Sequence, residues 1–400
     1  MRSTLSAGSL RALRWYTPSY LSCINTVRCF SVSYRVSSAD SKNSTTPTPP
    51  SSRSVPEWAR PKSEETVLNA LTCQTRPTGP TRSGLGVKYN LYLELSKPRL
   101  TWLVVLSTMS AYALAPNELS LLHLAFLTAG TALCSASANA INMGREGEFD
   151  RQMTRTRQRP VASERLTPTQ AFQFAAISGT VGTSALYFGV SPLVAALGLS
   201  NIALYGWLYT SLKRKHISNT WVGAIVGAIP PLMGWGACSS LSDPGIWMLA
   251  GLLYSWQFPH FMSLSYSIAD EYKNAGYVMS AWTDPLMSSR VSLRHSIAMV
   301  PLCVGLWYFG VTDAWFIIDS SLVNGWLIWT SFLFWKQQRD ISNGLATVDP
   351  AGKHKQYARQ LFWASVIHLP AVLVLAMIHK KGRWDWFFGS EDSHEEAEKP

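Results

Sequence analysis

Asn142, Glu146 and Asp150 recur at steps of four residues, directly after a small-residue apolar stretch that ends near Ala138. On an α-helix that step drifts only about 40° per repeat, so the three oxygen-bearing side chains share one face. An acidic stripe running off the end of a membrane helix is costly unless a cation neutralises it. Hard oxygen donors in that array suit Mg²⁺, which takes one or two carboxylates and completes its shell with phosphate oxygens of a substrate. A basic run follows at once, with Arg151, Arg155, Arg157 and Arg159-Pro160, and cations there suit the same anion. These residues predict a metal–diphosphate site at a membrane surface. The plainer alternative is a solvated helix end paired with nearby arginines, since structural ion pairs also gather charge.

A second polar cluster argues against that alternative. It runs Trp256-Gln-Phe-Pro259-His260-Phe261, then Asp270-Glu271-Tyr272-Lys273, and like the first it follows the end of an apolar run. Two such clusters fit an internally repeated bundle whose halves face one another across a cavity. Cations clamped there would stabilise a leaving group as charge develops on it. Between the clusters lie Lys213-Arg214-Lys215 and Asn219, and then Pro230-Pro231 interrupts an apolar run. Broken helices are tolerated at membrane depth where they line a cavity. Gly223, Gly227 and Gly234 in the same run suit close helix packing.

The elements that must position these groups are membrane helices. From Pro98 onward the chain divides into about nine apolar runs long enough to cross roughly 30 Å of hydrocarbon. They fall near residues 99–116, 120–143, 168–189, 191–210, 219–238, 244–266, 292–311, 313–335 and 358–379. The expected fold is therefore an all-α polytopic membrane protein, its transmembrane helices bundled around a central cavity. The loops divide into two sets. One holds Arg145 to Arg165, Lys213 to Lys215, Lys273 with Arg290, and Lys336 to Lys355, whereas the inter-span loops opposite contain no Lys or Arg. That asymmetry sets orientation.

Composition agrees. Charged residues make up only 15% of the chain, and its 17 Trp suit interfacial aromatic belts, among them the stretch from Trp307 to Trp315. A net charge of +11 could serve nucleic acid, but no recognition motif accompanies it, and no nucleic-acid partner is expected. The six cysteines form no CxxC pair and no zinc spacing. No acid precedes Asp40, while Arg2, Arg11, Arg14, Arg28 and Arg35 lie among Ser, Thr and aromatic residues, which is the composition of a mitochondrial presequence. The expected organisation is a targeting segment at 1–36, a Ser/Thr/Pro-rich linker at 37–86, a transmembrane domain at 87–381 and a polar tail at 382–400. In the mitochondrial inner membrane the basic loops, the N-terminus and the site would face the matrix.

The Asn142, Glu146, Asp150 array followed by Arg155-Thr-Arg157-Gln-Arg159-Pro160 resembles the first acidic motif of the UbiA-type intramembrane prenyltransferases. Five further features are similar to the haem-farnesylating branch of that family. They are Lys97-Pro98-Arg99, Asn219 to Gly223, Gly227 to Gly234, Trp256 to Phe261, and Asp270-Glu271-Tyr272 with Ala275-Gly276. Their order covers roughly residues 90 to 380. Glu146 stands where many relatives outside that branch have Asp, and Glu271 where Asp is usual, so both carboxylates sit on longer arms.

The resemblance implies transfer of a farnesyl group from farnesyl diphosphate to a vinyl group of haem B, giving haem O, with Mg²⁺ as cofactor. It assigns Asn142, Glu146, Asp150 and Asp270, with Glu271 beside them, to the metal. Arg155, Arg159, Lys213 and Lys273 go to the diphosphate. His260 and Asn219 go to substrate. Tyr272 would orient a carboxylate, stabilise a cation through its ring, or pack at the interface. His260 is either an axial haem ligand or a hydrogen-bonded span-end residue. The lipid bilayer is the solvent, and haem A synthase or a second copy of the chain is the expected partner. Competing readings are a 4-hydroxybenzoate polyprenyltransferase of ubiquinone synthesis and a non-catalytic transporter or assembly factor.

Overall fold

Helix starts along this chain are written as a capping residue followed by proline. Thr167-Pro168, Ser191-Pro192, Asp243-Pro244 and Asp284-Pro285 each place a side-chain acceptor on a free N–H of the first turn, and proline fills the N1 position whose missing N–H costs nothing. The computed structural model describes residues 84–117, 120–348 and 353–383. The targeting segment, nearly all of the linker and nearly all of the polar tail fall outside them.

The described residues form helices and no strand, apart from one isolated bridge between Thr312 and Lys380. A short α1 (Gly84–Leu95) leads into α2 (Pro98–Leu114), α3 (Leu121–Arg151), α4 (Pro168–Gly189) and α5 (Pro192–Leu212). Next come α6 (Asn219–Trp235) and α7 (Pro244–Ser267), then the short α8 (Ala269–Asn274) and α9 (Ser280–Thr283). The last three are α10 (Pro285–Tyr308), α11 (Trp315–Ser342) and α12 (Gln356–Ile378). Nine of the described helices have at least 17 residues and fall where the apolar runs predict them. Four of these, α3, α5, α11 and α12, are long and apolar enough to cross a membrane.

α3 continues past the apolar run to Arg151 with no proline to interrupt it, so the acidic stripe is helical throughout, as its spacing predicts. One detail departs from the sequence reading. α6 runs unbroken through Pro230 and Pro231, held by packing along α2 and α7.

Helices α2 to α6 enclose one apolar cluster, centred on Leu127, Leu186, Val194 and Met233. A second cluster joins α7, α10, α11 and α12 to α2 and α6 around Trp235, Phe316 and Phe334. Large apolar side chains such as Trp102, Phe188 and Leu322 face outward, as a lipid-solvated surface requires.

Gly234 shows how close the central pair comes, since a Cβ there would collide with the Thr108 carbonyl oxygen of α2. Backbone cannot step aside as a flexible side chain can. Gly234→Ala is therefore expected to cost about 1–3 kcal/mol, read as a lowered Tm in detergent. An unchanged Tm would refute the close approach.

The end of the bundle remote from the acidic stripe is tied by polar contacts of its own. Lys380 Nζ donates to Ala113 O and Ala115 O at 2.8 and 2.7 Å, closing the end of α2. His379 bridges Asp313 and Asp319, each at 3.0 Å.

Candidate active site

The last turns of α3 carry the site. Asn142, Glu146 and Asp150 are each no more than 2% exposed, so the whole stripe is buried. Each meets a cation from a different part of the chain. Lys97 Nζ donates to Asn142 Oδ1 at 2.7 Å. Lys213 Nζ reaches both oxygens of Glu146, at 3.0 and 3.1 Å. Arg159 Nη1 meets Asp150 Oδ2 at 2.7 Å. Three cations thus alternate with three oxygen ligands along about 12 Å of helix.

The backbone is bent to bring them there. Lys97 sits between α1 and α2 at φ 48°, in the left-handed region that non-glycine residues avoid. Asn139, one turn before Asn142, donates to Ser96 O at 3.1 Å and so holds that turn against α3. Strain of this kind persists only where its surroundings over-determine it.

On the other side, α5 loosens into a π-helical stretch at Leu204–Tyr209. Its carbonyls are taken up by side chains: Thr210 Oγ1 donates to Tyr205 O at 2.9 Å, and Arg145 donates to Gly206 O at 2.8 Å and Trp207 O at 3.1 Å. Thr210 Oγ1 also accepts from Asn142 Nδ2 at 3.1 Å, which fixes the amide with its oxygen towards Lys97. Wide turns of this type recur at functional sites.

The π stretch also delivers aromatic faces. Tyr205 and Tyr209 stack at 5.3 Å. Lys97 Nζ lies 5.7 Å from the Tyr205 ring centre, and Lys213 Nζ lies 5.6 Å from Tyr209 and 4.5 Å from Tyr277. The Tyr277 hydroxyl is buried without a hydrogen-bond partner among the described residues.

These surroundings set the charges. Burial opposes the ammonium of Lys213, but Glu146 outweighs it and holds the lysine well above its ordinary pKa. Burial likewise opposes Arg159, and Asp150 raises it. Lys97 goes the other way: burial, reinforced by Arg159, takes it well below the ordinary lysine value despite Glu146 and Asp150. Burial raises the Tyr277 phenol, which stays neutral.

The second acidic segment joins the same end of the bundle. Glu271 Oε2 accepts from the Thr154 amide at 3.0 Å, and Arg155 Nη2 donates to Tyr272 Oη at 3.4 Å. Tyr272 is buried and packs edge-on against Tyr277. Asn219 Nδ2 bridges His216 O at 2.7 Å and Val278 O at 2.9 Å, which positions the Lys213 turn against this segment through backbone. Asp270 faces elsewhere: its side chain is 82% exposed and pairs with Lys355 at 2.8 Å. That hydrogen bond and charge hold its carboxyl below the usual range. Lys273 is exposed at 6.0 Å from the Trp282 ring.

His260 stands apart on α7, stacked on Trp256 at 4.6 Å and beside Phe362 at 5.0 Å. Its Nδ1 lies 3.0 Å from Ser365 Oγ of α12. All of these contacts lie within the second apolar half.

Among the described residues no three Asp, Glu, His or Cys side chains gather into a metal cage. Two carboxylates one turn apart with an amide oxygen nevertheless fit Mg²⁺, which is bound by few protein ligands and relies on substrate phosphates for the rest. The donor set suits an ion shared with a diphosphate and not an ion held by protein alone.

Lys97, Tyr205, Tyr209, Thr210 and Tyr277 received no role from the sequence. A signal existed for two of them, since Tyr205, Tyr209 and Lys213 repeat the step of four seen in the acidic stripe.

Residues 104–346 match the model of the UbiA prenyltransferase family. A Yarrowia lipolytica protein named mitochondrial protoheme IX farnesyltransferase is 65% identical over 303 residues, covering 75% of this chain and 64% of that protein. A Saccharomyces cerevisiae protein of the same name is 59% identical, with 79% of this chain and 71% of that protein covered. Among solved structures, one of a digeranylgeranylglyceryl phosphate synthase shares the fold at TM-score 0.58 and 16% identity, covering 73% of this chain and 98% of that one. A UbiA homologue from Aeropyrum pernix K1 gives TM-score 0.50 at 17% identity, covering 68% of this chain and 97% of that one.

Proposed function

The chain belongs to the UbiA prenyltransferase family, and from that premise we propose that it transfers the farnesyl group of farnesyl diphosphate to a vinyl group of protohaem IX (haem B), making haem O. The observation that carries this reading is the buried oxygen stripe of α3, collared by Lys97, Lys213 and Arg159. The curated relatives' names supply the substrate pair.

Asn142, Glu146 and Asp150 would hold Mg²⁺, which would supply charge stabilisation at the departing oxygen. Asp270 is the further carboxylate, recruited from its pairing with Lys355 at the rim. Lys97, Arg159 and Lys213 exchange their protein oxygens for phosphate oxygens, with Arg155 and Lys273 behind them. Breaking the C–O bond leaves pyrophosphate and an allylic farnesyl cation. The faces of Tyr205, Tyr209 and Tyr277, already arranged around lysine cations, can stabilise that carbocation. A vinyl carbon of the haem attacks and forms the C–C bond. The cation left on the porphyrin side takes the oxygen of water and loses a proton, completing the hydroxyethylfarnesyl group. Tyr272 and Glu271 hold the 154–155 turn in place, and burial keeps bulk water from quenching the allylic cation into farnesol. His260, fixed between Trp256, Phe362 and Ser365, offers a wall for the flat acceptor.

The relatives are named mitochondrial, and membrane-capable helices fit a multi-pass protein there. The nine long helices act as spans around a cavity. The site faces the matrix side of the inner membrane, a reading the one-sided distribution of basic loops supports.

The test supplies purified full-length protein with farnesyl diphosphate, Mg²⁺ and either haem B or 4-hydroxybenzoate. Pyrophosphate release with a haem product carrying farnesyl plus water is expected. Prenylation of 4-hydroxybenzoate alone, or no pyrophosphate with either acceptor, overturns the proposal.

A further inference from the structure

An open groove of about 540 Å³ runs between α11 and α12 on the outer face of the second half. Trp326, Trp329 and Leu333 of α11 and Trp363 of α12 wall it, and Arg359 and Gln356 stand at one end. Positions 326, 329, 333 and 336 follow one face of α11, so exposed Lys336 continues the wall towards the loop that carries Lys353 and Lys355. On α12, Arg359 lies one turn nearer that loop than Trp363. The groove is graded along its length, from indole and leucine at depth to Arg359, Gln356 and Gln360 at the basic end, with Lys336 one turn beyond Leu333.

An aromatic belt alone does not account for this arrangement. Belts distribute tryptophan around a bundle at headgroup level, whereas here three converge on one concavity, and they are 42%, 58% and 62% exposed. Neither Arg359 nor Lys336 has an ion-pair partner among the described residues, while Arg339 nearby meets Asp340. A second protein helix fits poorly, because close helix approach in membranes uses small residues and this wall presents indoles.

We propose that the groove is a binding site for one anionic phospholipid. Its phosphate meets Arg359 and Lys336 with Gln356 donating, and one acyl chain lies along Trp329, Trp326 and Trp363. Basic pockets between membrane helices on the positively charged side attract such headgroups, and tryptophan offers both apolar surface and an N–H near them. No residue of the α3 site takes part, so the proposal stands independently of the farnesyl-transfer reading.

Native mass spectrometry of the full-length protein, released from micelles containing equal phosphatidylglycerol and phosphatidylcholine of matched chains, tests it. One phosphatidylglycerol retained in preference to phosphatidylcholine is expected. Arg359→Gln and Lys336→Gln should each weaken that preference about fivefold, and Trp363→Ala should shorten retention with the charges intact. Tm of the variants in detergent serves as the check on folding. Equal retention of both lipids, a preference unmoved by both charge substitutions, or a mass of two chains in place of one chain plus lipid overturns the proposal.

Discussion

Asp150→Asn is expected to lower farnesyl transfer by at least about a hundred- to a thousandfold while the protein still inserts and folds. Asparagine keeps the size of the side chain and an oxygen for Arg159, which now lies 2.7 Å from the carboxylate. It removes the charge that a hard divalent ion requires. The environment enlarges the effect, because Asp150 is 2% exposed and water cannot replace the lost anion. Pyrophosphate release measured beside Tm separates the chemistry from the fold. Retained turnover in a stable variant removes Asp150 from the metal site.

Lys213→Met should damage both stability and turnover. Lys213 is the partner of Glu146, contacting both of its oxygens, and their side chains are 12% and 1% exposed. Methionine fills the space but leaves a buried carboxylate without its cation, a change that costs about 3–5 kcal/mol. Adding Glu146→Gln removes the stranded charge, so the double variant should recover most of the Tm and none of the activity. That split is what a pair serving both charge balance and diphosphate binding produces. A single variant with unchanged Tm would mean that the pair carries little of the fold, and a double variant regaining turnover would take Lys213 and Glu146 out of the chemistry.

How much of this was legible in the residues depends on the range of each interaction. The α3 stripe is a local, periodic signal, and its shared face follows from helical geometry alone. The cap-and-proline helix starts are equally local. Lys97 opens the Lys97-Pro98-Arg99 motif, but its position beside Asn142 depends on a left-handed backbone turn pinned by Asn139, and no periodicity encodes that. The π stretch of α5 was hidden for a similar reason, since Arg145 and Thr210 compensate its carbonyls only after the helices pack. Asp270 shows the limit most plainly. The family resemblance groups it with the other acids at the metal, yet a lysine 85 positions later in the chain holds it at the rim. Long-range partners of a charge are not written beside it.

Manganese substituted for magnesium gives the most direct test of the central claim, because its paramagnetic resonance reports the bound ion itself. Titrated into wild-type protein with a non-ionisable farnesyl thiodiphosphate, Mn²⁺ should bind tightly, should bind weakly without the analogue, and should be lost in Asp150→Asn. Tight binding independent of the diphosphate, or binding indifferent to Asp150, would contradict an ion shared between the α3 stripe and the leaving group.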